Sequence, residues 1–378
     1  MPIPGQARRK SKEDMTEADD LRLAVRDFLE TTSPTTRVRD LMTTDEGYDR
    51  AVWPQMATEL GLHGIAVPEK FGGAGATLAE LSVVFEEMGA ALLCAPFFST
   101  VALATQAILC SGDTAAMEDF LPAFVDGSMI ATLIMNGRLD AWDPRAVTLT
   151  ARADGTGHRV RGDADLVLDG HTADVVLAVA NTDAGTSLFA VAGDADGLTR
   201  EPLTTLDRTR KVARLRFDDS PARLIGTDGD AAPGLARTFD LAIVALAAEQ
   251  VGAAQRCLDM AVGYAKQRIQ FGRAIGSFQA VKHRCADMLI LVEGARSAAV
   301  HAAQSEGDDQ LSVAASLAKM ASSEAFLQVA LDNMRIHGGI GFTWEHDAHL
   351  YVRRAKATEL IFGSPDHHAQ RLADLVAH

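Results

Sequence analysis

A stretch of polar and aromatic residues separates two long helix-like segments at residues 268–279. Arg268 offers a planar fork of donors that suits a phosphate or pyrophosphate. Phe271 adds a flat apolar face, and Gln279 carries an amide that can both donate and accept hydrogen bonds. Because the junction between two helices is a place where polar groups can hold a ligand, this stretch predicts a binding site for an anionic group.

A second, glycine-rich block occupies residues 337–347, near the end of the chain. The two blocks, in this order and at this spacing, resemble the acyl-CoA dehydrogenase family. A Pro-Glu-x-x-Gly-Gly turn at residues 68–73 also resembles the N-terminal domain of that family. The resemblance covers nearly the whole chain and is most specific in its last third.

Composition is that of an ordinary globular protein. The 378 residues are 47% hydrophobic and 23% charged, and the formal net charge of -15 argues against a nucleic-acid surface. The four cysteines are widely spaced without a CxxC pair, and the histidines show no metal-ligand spacing, so we expect no metal site. No apolar run approaches the roughly 20 residues of a membrane span, and a cytoplasmic location is the default expectation.

Three regions of different character follow one another along the chain. Residues 1–14 are predicted to be a flexible tail, and residues 15–125 show apolar residues at helical spacing. Residues 126–230 alternate short β-favouring runs with Gly/Asp turns, which predicts an antiparallel barrel or sandwich. Residues 231–378 contain four long helical segments, near 233–267, 277–305, 309–336 and 351–376, which predict a four-helix bundle. The predicted fold class is α+β, with the domain order of acyl-CoA dehydrogenases.

The resemblance implies a flavin enzyme that removes two hydrogens from the Cα and Cβ of an acyl-CoA thioester. It further implies FAD at a dimer interface, with the flavin ring held by the β-domain of one subunit and the adenosine pyrophosphate arm met by the bundle of its neighbour. The expected assembly is a tetramer, either of one chain or of two homologous chains. An electron-transfer flavoprotein is the implied electron acceptor.

The bundle half of this implied site is intact. Arg268, Phe271 and Gln279 match family positions that reach a neighbour's FAD. Gly338, Gly339 and Gly341 match the turn in which backbone approaches the cofactor closely. One departure is Arg335, which stands where the family usually has Gln and so keeps donors but loses the acceptor.

The β-domain half departs from the family pattern. Met135 stands where family members have a flavin-binding Thr, Leu166 replaces the aromatic residue that packs on the flavin, and Leu168 replaces a nearby Thr. Losing these donors would leave polar atoms of the ring unpaired in a dry pocket, at a cost of about 1–3 kcal/mol each. The alternative is that backbone groups or Thr132 take over.

The catalytic base is also not where most family members have it. Gly363 occupies the usual Glu position, nearby Asp366 is expected to cap the last helix, and the alternative family position is Ala242. Two carboxylates remain as candidates, Asp240 and Glu249. Burial among alanines would raise the pKa of Glu249 and require a partner, so a structural pairing is its alternative role.

Three hypotheses follow from this pattern. The first is a subunit that contributes bundle residues to FAD bound chiefly by a homologous partner, as in unequal family pairs that act on steroid side chains or other bulky thioesters. The second is a self-sufficient homotetramer that uses Asp240 or Glu249 as its base. The third is a non-catalytic assembly protein of the same fold.

Overall fold

The N-terminal region is helical. The computed structural model describes residues 16–136, 139, 141–155 and 157–377, so the predicted tail lies outside the described residues. A buried π-helix spans Phe98–Thr105. The α-helices are α1 (Glu17–Thr32), α2 (Thr35–Leu41), α3 (Val52–Thr58), α4 (Leu78–Ala91), α5 (Gln106–Cys110) and α6 (Thr114–Val125). Thr77 and Glu80 form a capping box that fixes the start of α4.

The middle region is a seven-stranded sheet that closes on itself. Its strands are β1 (Ala131–Ile134), β2 (Leu149–Asp154), β3 (Gly157–Leu168), β4 (Val175–Thr182), β5 (Gly185–Ala192), β6 (Leu198–Leu203) and β7 (Val212–Ile225). Strands β4, β2, β3, β7 and β5 form a ring, because β5 pairs with both β7 and β4. Most pairs are antiparallel, but β1 and β2 both run parallel to β4. The predicted barrel is confirmed, with these two parallel pairs as a feature that the strand patterns did not reveal.

The C-terminal region is a bundle of long helices. It contains α7 (Ala232–Gln267), the short strands β8 (Ile269–Gln270) and β9 (Arg273–Ala274), α8 (Gln279–Gln304), α9 (Leu311–His337), α10 (Ala348–Leu360) and α11 (Pro365–Val376). The fourth predicted segment is therefore two helices. Phe362 and Gly363 adopt positive φ between them, and Ser364 Oγ accepts from the N–H of His367 to start α11. Ser364, rather than the predicted Asp366, is the N-cap.

Helix α7 runs through the centre of the bundle. By length and composition it could cross a membrane, but 89% of its apolar window is buried inside the protein. The apolar residues of α7 thus pack against other helices, as in a core helix. The α+β class and the order of helical, β and helical regions are as predicted, while the residue numbers of the domain boundaries stay predictions.

Two glycines allow α4 and α7 to cross in close contact. A Cβ on Gly89 would overlap the carbonyl oxygen of Glu249, and a Cβ on Gly252 would overlap that of Glu86. Both obstacles are helical backbone, which cannot move aside without separating the helices. These glycines therefore set the distance between the N-terminal region and the bundle.

The variant Gly252→Ala is expected to lower the free energy of unfolding by about 1–3 kcal/mol, or more if the helices cannot shift, because overpacking forces backbone apart. Denaturant unfolding measures this change. Gly263→Ala is the matched control on the same helix, since nothing lies within 4 Å of a Cβ there. Equal stabilities of the two variants would contradict the close crossing.

Lys319 of α9 is a fully buried cation at the end of α10. Its Nζ donates to Ser323 Oγ at 2.9 Å and to the carbonyl oxygens of Thr358 and Glu359 at 3.0 and 3.1 Å. Burial lowers the pKa of Lys319 to about 7, and the charge of Glu359 offsets only part of this effect. Lys319 thus satisfies carbonyls at the C-terminus of α10, where a cation also meets the helix dipole favourably.

Stability should consequently depend on pH through Lys319. Between pH 7 and pH 10.5 the unfolded chain still binds the proton that the folded chain has lost, so the free energy of unfolding contributed by this group rises with pH. Lys319→Met should remove that rise, which is measured as the difference between wild-type and variant stability across this range. Lys266→Met, at an exposed position on α7, is the control. Parallel pH profiles for wild type and Lys319→Met would contradict the assignment.

Candidate functional site

The junction between α7 and α8 presents Phe271 at the tip of a tight hairpin. Helix α7 ends where Arg268 takes an extended conformation, and β8 pairs with β9 across Phe271 and Gly272. Both turn residues have positive φ, as a two-residue hairpin that follows strand twist requires. An aromatic side chain in this conformation is strained, yet Phe271 is 91% exposed. Strain and exposure together indicate a residue placed for contact with another molecule.

The side chains of Arg268 and Gln279 are also exposed. Neither makes a side-chain hydrogen bond within the part of the chain that the structure describes. Gln279 is the first residue of α8, only a few residues beyond the hairpin. The junction therefore presents a guanidinium, an aromatic ring and an amide to the outside of the chain.

The glycine-rich turn leaves open space beside its backbone. Gly338 has a φ of +67°, and a Cβ on Gly338 or Gly339 would meet nothing within 4 Å. The chain's own packing does not demand glycine at position 339, so the space fits a group from outside. Gly341 differs, because its Cβ would meet the carbonyl oxygen of Met334 at 2.7 Å. Packing of the chain itself thus also requires glycine at position 341, and the ligand-contact role of Gly341 stays a prediction.

A stack of two rings joins the junction to the glycine-rich turn. Tyr264, in the last turn of α7, packs on His337 with ring centroids 4.4 Å apart. His337 Nδ1 lies 2.9 Å from the Asn333 carbonyl oxygen, and burial lowers the pKa of this histidine. The stack brings the end of α7 beside the end of α9, so the two sequence blocks meet in space. Sequence reasoning missed both rings, although their positions next to Arg268 and Gly338 are a signal that could have identified them.

Arg335 is held in place by a buried carboxylate. Its NH1 donates to Asp332 Oδ1 at 2.9 Å, and Arg284 of α8 approaches the same oxygen at 3.4 Å. Asp332 is a residue that sequence reasoning missed. Arg335 is half exposed beside the glycine-rich turn, so the replacement of the usual Gln puts a positive charge there.

The residues of the β-domain that correspond to the ring-binding positions of the family carry apolar side chains without donors. Met135 and Leu168 are buried, and Leu166 has a φ of +58°. The hydroxyl of Thr132 is fully buried and donates to the Leu168 carbonyl oxygen at 2.6 Å. The Thr132 hydroxyl is therefore engaged within the chain, which argues against Thr132 as the missing donor, while the backbone groups stay the other alternative. Gly137, Arg138 and Asp140 of the adjoining segment lie outside the described residues.

The turn before α11 packs against the β-domain. The N–H of Phe362 donates to the Leu139 carbonyl oxygen at 2.8 Å, and the Phe362 ring stacks on Phe98. Arg210 packs on the same Phe98 ring, with its guanidinium carbon 4.9 Å from the ring centroid. A Cβ on Gly363, at φ +104°, would come within 2.8 Å of His367. A glutamate at the usual base position would be strained here.

Glu249 is one centre of a buried ionic cluster. Its Oε1 accepts from Arg354 NH1 at 2.8 Å, and its Oε2 accepts from Arg210 in a second ion pair. Burial opposes ionisation, but the two guanidinium charges outweigh it and hold the pKa of Glu249 below its usual range. A carboxylate stabilised in this way is a weak proton acceptor. The expected net rise of this pKa is therefore wrong, although burial acts in the expected direction. The catalytic role of Glu249 stays a prediction against which its ion pairs argue.

Asp240 lies nine residues earlier on α7, about 13 Å away along the helix axis. It is buried, and it accepts from Arg371 at 2.6 Å and from Ser312 Oγ at 2.5 Å. These bonds tie α7 to α9 and α11. A catalytic role for Asp240 likewise stays a prediction, and its contacts favour a structural one.

Comparisons with known proteins agree with this geometry. The model of the acyl-CoA dehydrogenase N-terminal domain matches residues 15–128, and that of the C-terminal domain matches residues 235–376. Acyl-CoA dehydrogenase IpdE2 of Mycobacterium tuberculosis is 35% identical over 338 residues, which are 89% of each chain. The chain therefore belongs to the acyl-CoA dehydrogenase family, a family of oxidoreductases, as the sequence blocks predicted.

Two solved structures are similar along nearly the entire chain. The Tcur3481–Tcur3483 steroid ACAD has 34% sequence identity and a TM-score of 0.85, covering 96% of this chain and 98% of that one. The ChsE4–ChsE5 complex from Mycobacterium tuberculosis has 30% identity and a TM-score of 0.87, with the same coverage.

Proposed function

We propose that this chain is a subunit of an FAD-dependent acyl-CoA dehydrogenase whose bundle completes the FAD site of a homologous partner. The observation that carries the proposal is the contrast between its two halves. Arg268, Phe271 and Gln279 are exposed, and the Tyr264–His337 ring contact brings the end of α7 beside the turn with open glycine backbone at residues 338 and 339. The ring-binding positions of its own β-domain instead carry the apolar side chains of Met135, Leu166 and Leu168, and the nearby hydroxyl of Thr132 is already bonded within the chain.

The exposed group of residues fits the phosphate-bearing arm of FAD. Arg268 would bind the pyrophosphate through its fork of donors, and Arg335 would add a second positive charge. Phe271 would offer an apolar face, and Gln279 an amide for polar groups of the nucleotide. Gly338 and Gly339 leave room for close approach of the cofactor to the backbone. When bound, FAD supplies the redox chemistry of α,β-dehydrogenation.

The partner is proposed to supply the base that removes the α-proton. Gly363 and Ala242 cannot accept a proton, while Glu249 and Asp240 are engaged in buried ion pairs. The self-sufficient homotetramer would need one of these two carboxylates to leave its guanidinium partner. That requirement makes it the second candidate.

The proposed assembly is a tetramer of two kinds of chain. Both similar structures are named for two components, Tcur3481–Tcur3483 and ChsE4–ChsE5, and the first is called a steroid ACAD. On this support, we propose an acyl-CoA thioester with a bulky acyl group, such as a steroid side chain, as the substrate. An electron-transfer flavoprotein as acceptor and a cytoplasmic location remain predictions from the family.

Flavin absorbance tests the proposal. The chain purified alone should be colourless, and a complex co-expressed with a homologue encoded nearby should be yellow, with one FAD for each pair of unlike chains. A yellow chain that oxidises acyl-CoA alone, with one FAD per protomer, would support the self-sufficient homotetramer instead. A complex without flavin would support the non-catalytic assembly protein.

A further inference from the structure

Asp332 lies between the two sequence blocks of the candidate site and binds two arginines. Its side chain is only 10% exposed, whereas those of Arg284 and Arg335 are 45% and 51% exposed. Gln328 completes the arrangement by donating from Nε2 to Asp332 Oδ2 at 2.8 Å. One buried carboxylate thus holds two half-exposed guanidiniums, and the cluster keeps one positive charge in excess.

The cluster stands beside the residues expected to meet the cofactor. Arg335 is three residues before Gly338, and Arg284 is five residues after Gln279 on α8. Among the described residues, Arg335 hydrogen-bonds Asp332 through NH1, Arg284 approaches Asp332 through NH1, and no other nitrogen of the two guanidiniums makes a hydrogen bond. The remaining donors of each fork are therefore available to an anion from outside.

We propose that Asp332 is a positioning residue that presents Arg284 and Arg335 as a paired cation site for the phosphates of FAD, an inference that rests on the proposed function. A long arginine side chain loses conformational entropy when it binds a ligand, and a fixed carboxylate removes part of that loss beforehand. The Gln that the family usually has at the position of Arg335 is neutral, so Asp332 could not hold it through an ion pair. Arg284 is thereby added to the residues that recognise the cofactor.

An isolated surface ion pair is the alternative reading of the same contacts. Such pairs contribute little to stability and are screened by salt. This cluster differs because its acid is buried while both bases are exposed, so its excess charge faces outward. The glycines three and four residues after Arg335 have no atom within 4 Å of the place where a Cβ would stand, so the chain itself does not fill the space beside them.

The test measures the dissociation constant of FAD from the two-component complex, by flavin fluorescence after removal and re-addition of the cofactor. Asp332→Asn should raise this constant about tenfold, the effect of losing one charge-assisted contact. In a background that carries Arg284→Gln and Arg335→Gln, Asp332→Asn should have no further effect on the constant, because it acts through these arginines.

Two outcomes would overturn the inference. One is an unchanged FAD dissociation constant in Asp332→Asn, with or without a lower melting temperature. The other is an equal loss of affinity in the wild-type and double-arginine backgrounds, which would indicate a merely structural effect. Arg268→Ala separates this failure from failure of the proposed function. If Arg268→Ala weakens FAD binding and Asp332→Asn does not, only the positioning role of Asp332 is wrong. If neither variant weakens FAD binding, the proposed FAD site itself is contradicted.

Discussion

Replacing Glu249 with alanine is expected to lower the free energy of unfolding by about 3–5 kcal/mol, because it leaves buried Arg210 without a carboxylate and Arg354 with Asp207 as its only ion-pair partner among the described residues. Arg354 and Arg210 approach Glu249 from α10 and from the loop before β7, so the carboxylate joins bundle and β-domain. Denaturant unfolding of the purified chain measures the loss. Asp163→Asn is the control, since its ion pair with Arg216 is exposed and its removal should change stability little.

The variant Glu249→Gln separates the structural role of this residue from the catalytic one. If Glu249 is structural, the variant destabilises the chain, while the assembled complex that still folds retains its kcat. If Glu249 is the base, the fold and bound FAD survive and turnover is lost. The second pattern would contradict the proposal that the partner provides the base.

Replacing Arg268 with alanine is expected to weaken FAD binding to the complex by about 30-fold or more, the effect of truncating one member of a charge-assisted contact that becomes buried on assembly. The chain alone should keep its melting temperature, because the Arg268 side chain is exposed and makes no side-chain hydrogen bond among the described residues. Fluorescence titration of the flavin measures the affinity, and thermal unfolding measures the stability.

Lys266→Ala is the matched control for Arg268→Ala. Lys266 is exposed in the last turn of α7, two residues before Arg268, and its replacement by alanine also removes one positive charge. A specific contact predicts that only Arg268→Ala weakens FAD binding. Equal, small effects of both variants would indicate a general electrostatic attraction and would count against the role of Arg268.

Local sequence signals predicted the parts of the fold that are determined locally. Alanine-rich periodic segments predicted the long bundle helices to within a few residues at most ends, and Gly/Asp turns predicted the β-strands. The family resemblance placed a turn around Gly363, but the helical pattern of residues 351–376 ran through it, because the break depends on positive φ and on packing of Phe362 against Phe98. The parallel pairing of β1 with β4 depends on the long-range path of the chain and has no local signature.

The candidate site was predictable only where its residues belong to short motifs. Arg268, Phe271 and Gln279 lie within twelve positions of one another, and their exposure agrees with a role outside the chain. Asp332 and Tyr264 act through side chains from other helices, so spacing along one helix could not identify them.

The buried ionic cluster shows the same limit of sequence reasoning. Glu249 pairs with residues 39 and 105 positions away. The sequence suggested burial of Glu249 and a need for a partner, and both are confirmed. The direction of its pKa shift was wrong, since it depends on the two guanidiniums that folding brings to the carboxylate.

The most direct test of this account is a crystal structure of the flavin-loaded two-component complex, in which the distance from the Arg268 guanidinium to the FAD phosphates is measured. The account predicts a charge-assisted hydrogen bond of about 2.7–2.9 Å to the pyrophosphate of an FAD whose ring lies in the partner's β-domain. An Arg268 side chain that faces bulk solvent, far from any subunit boundary, would contradict it.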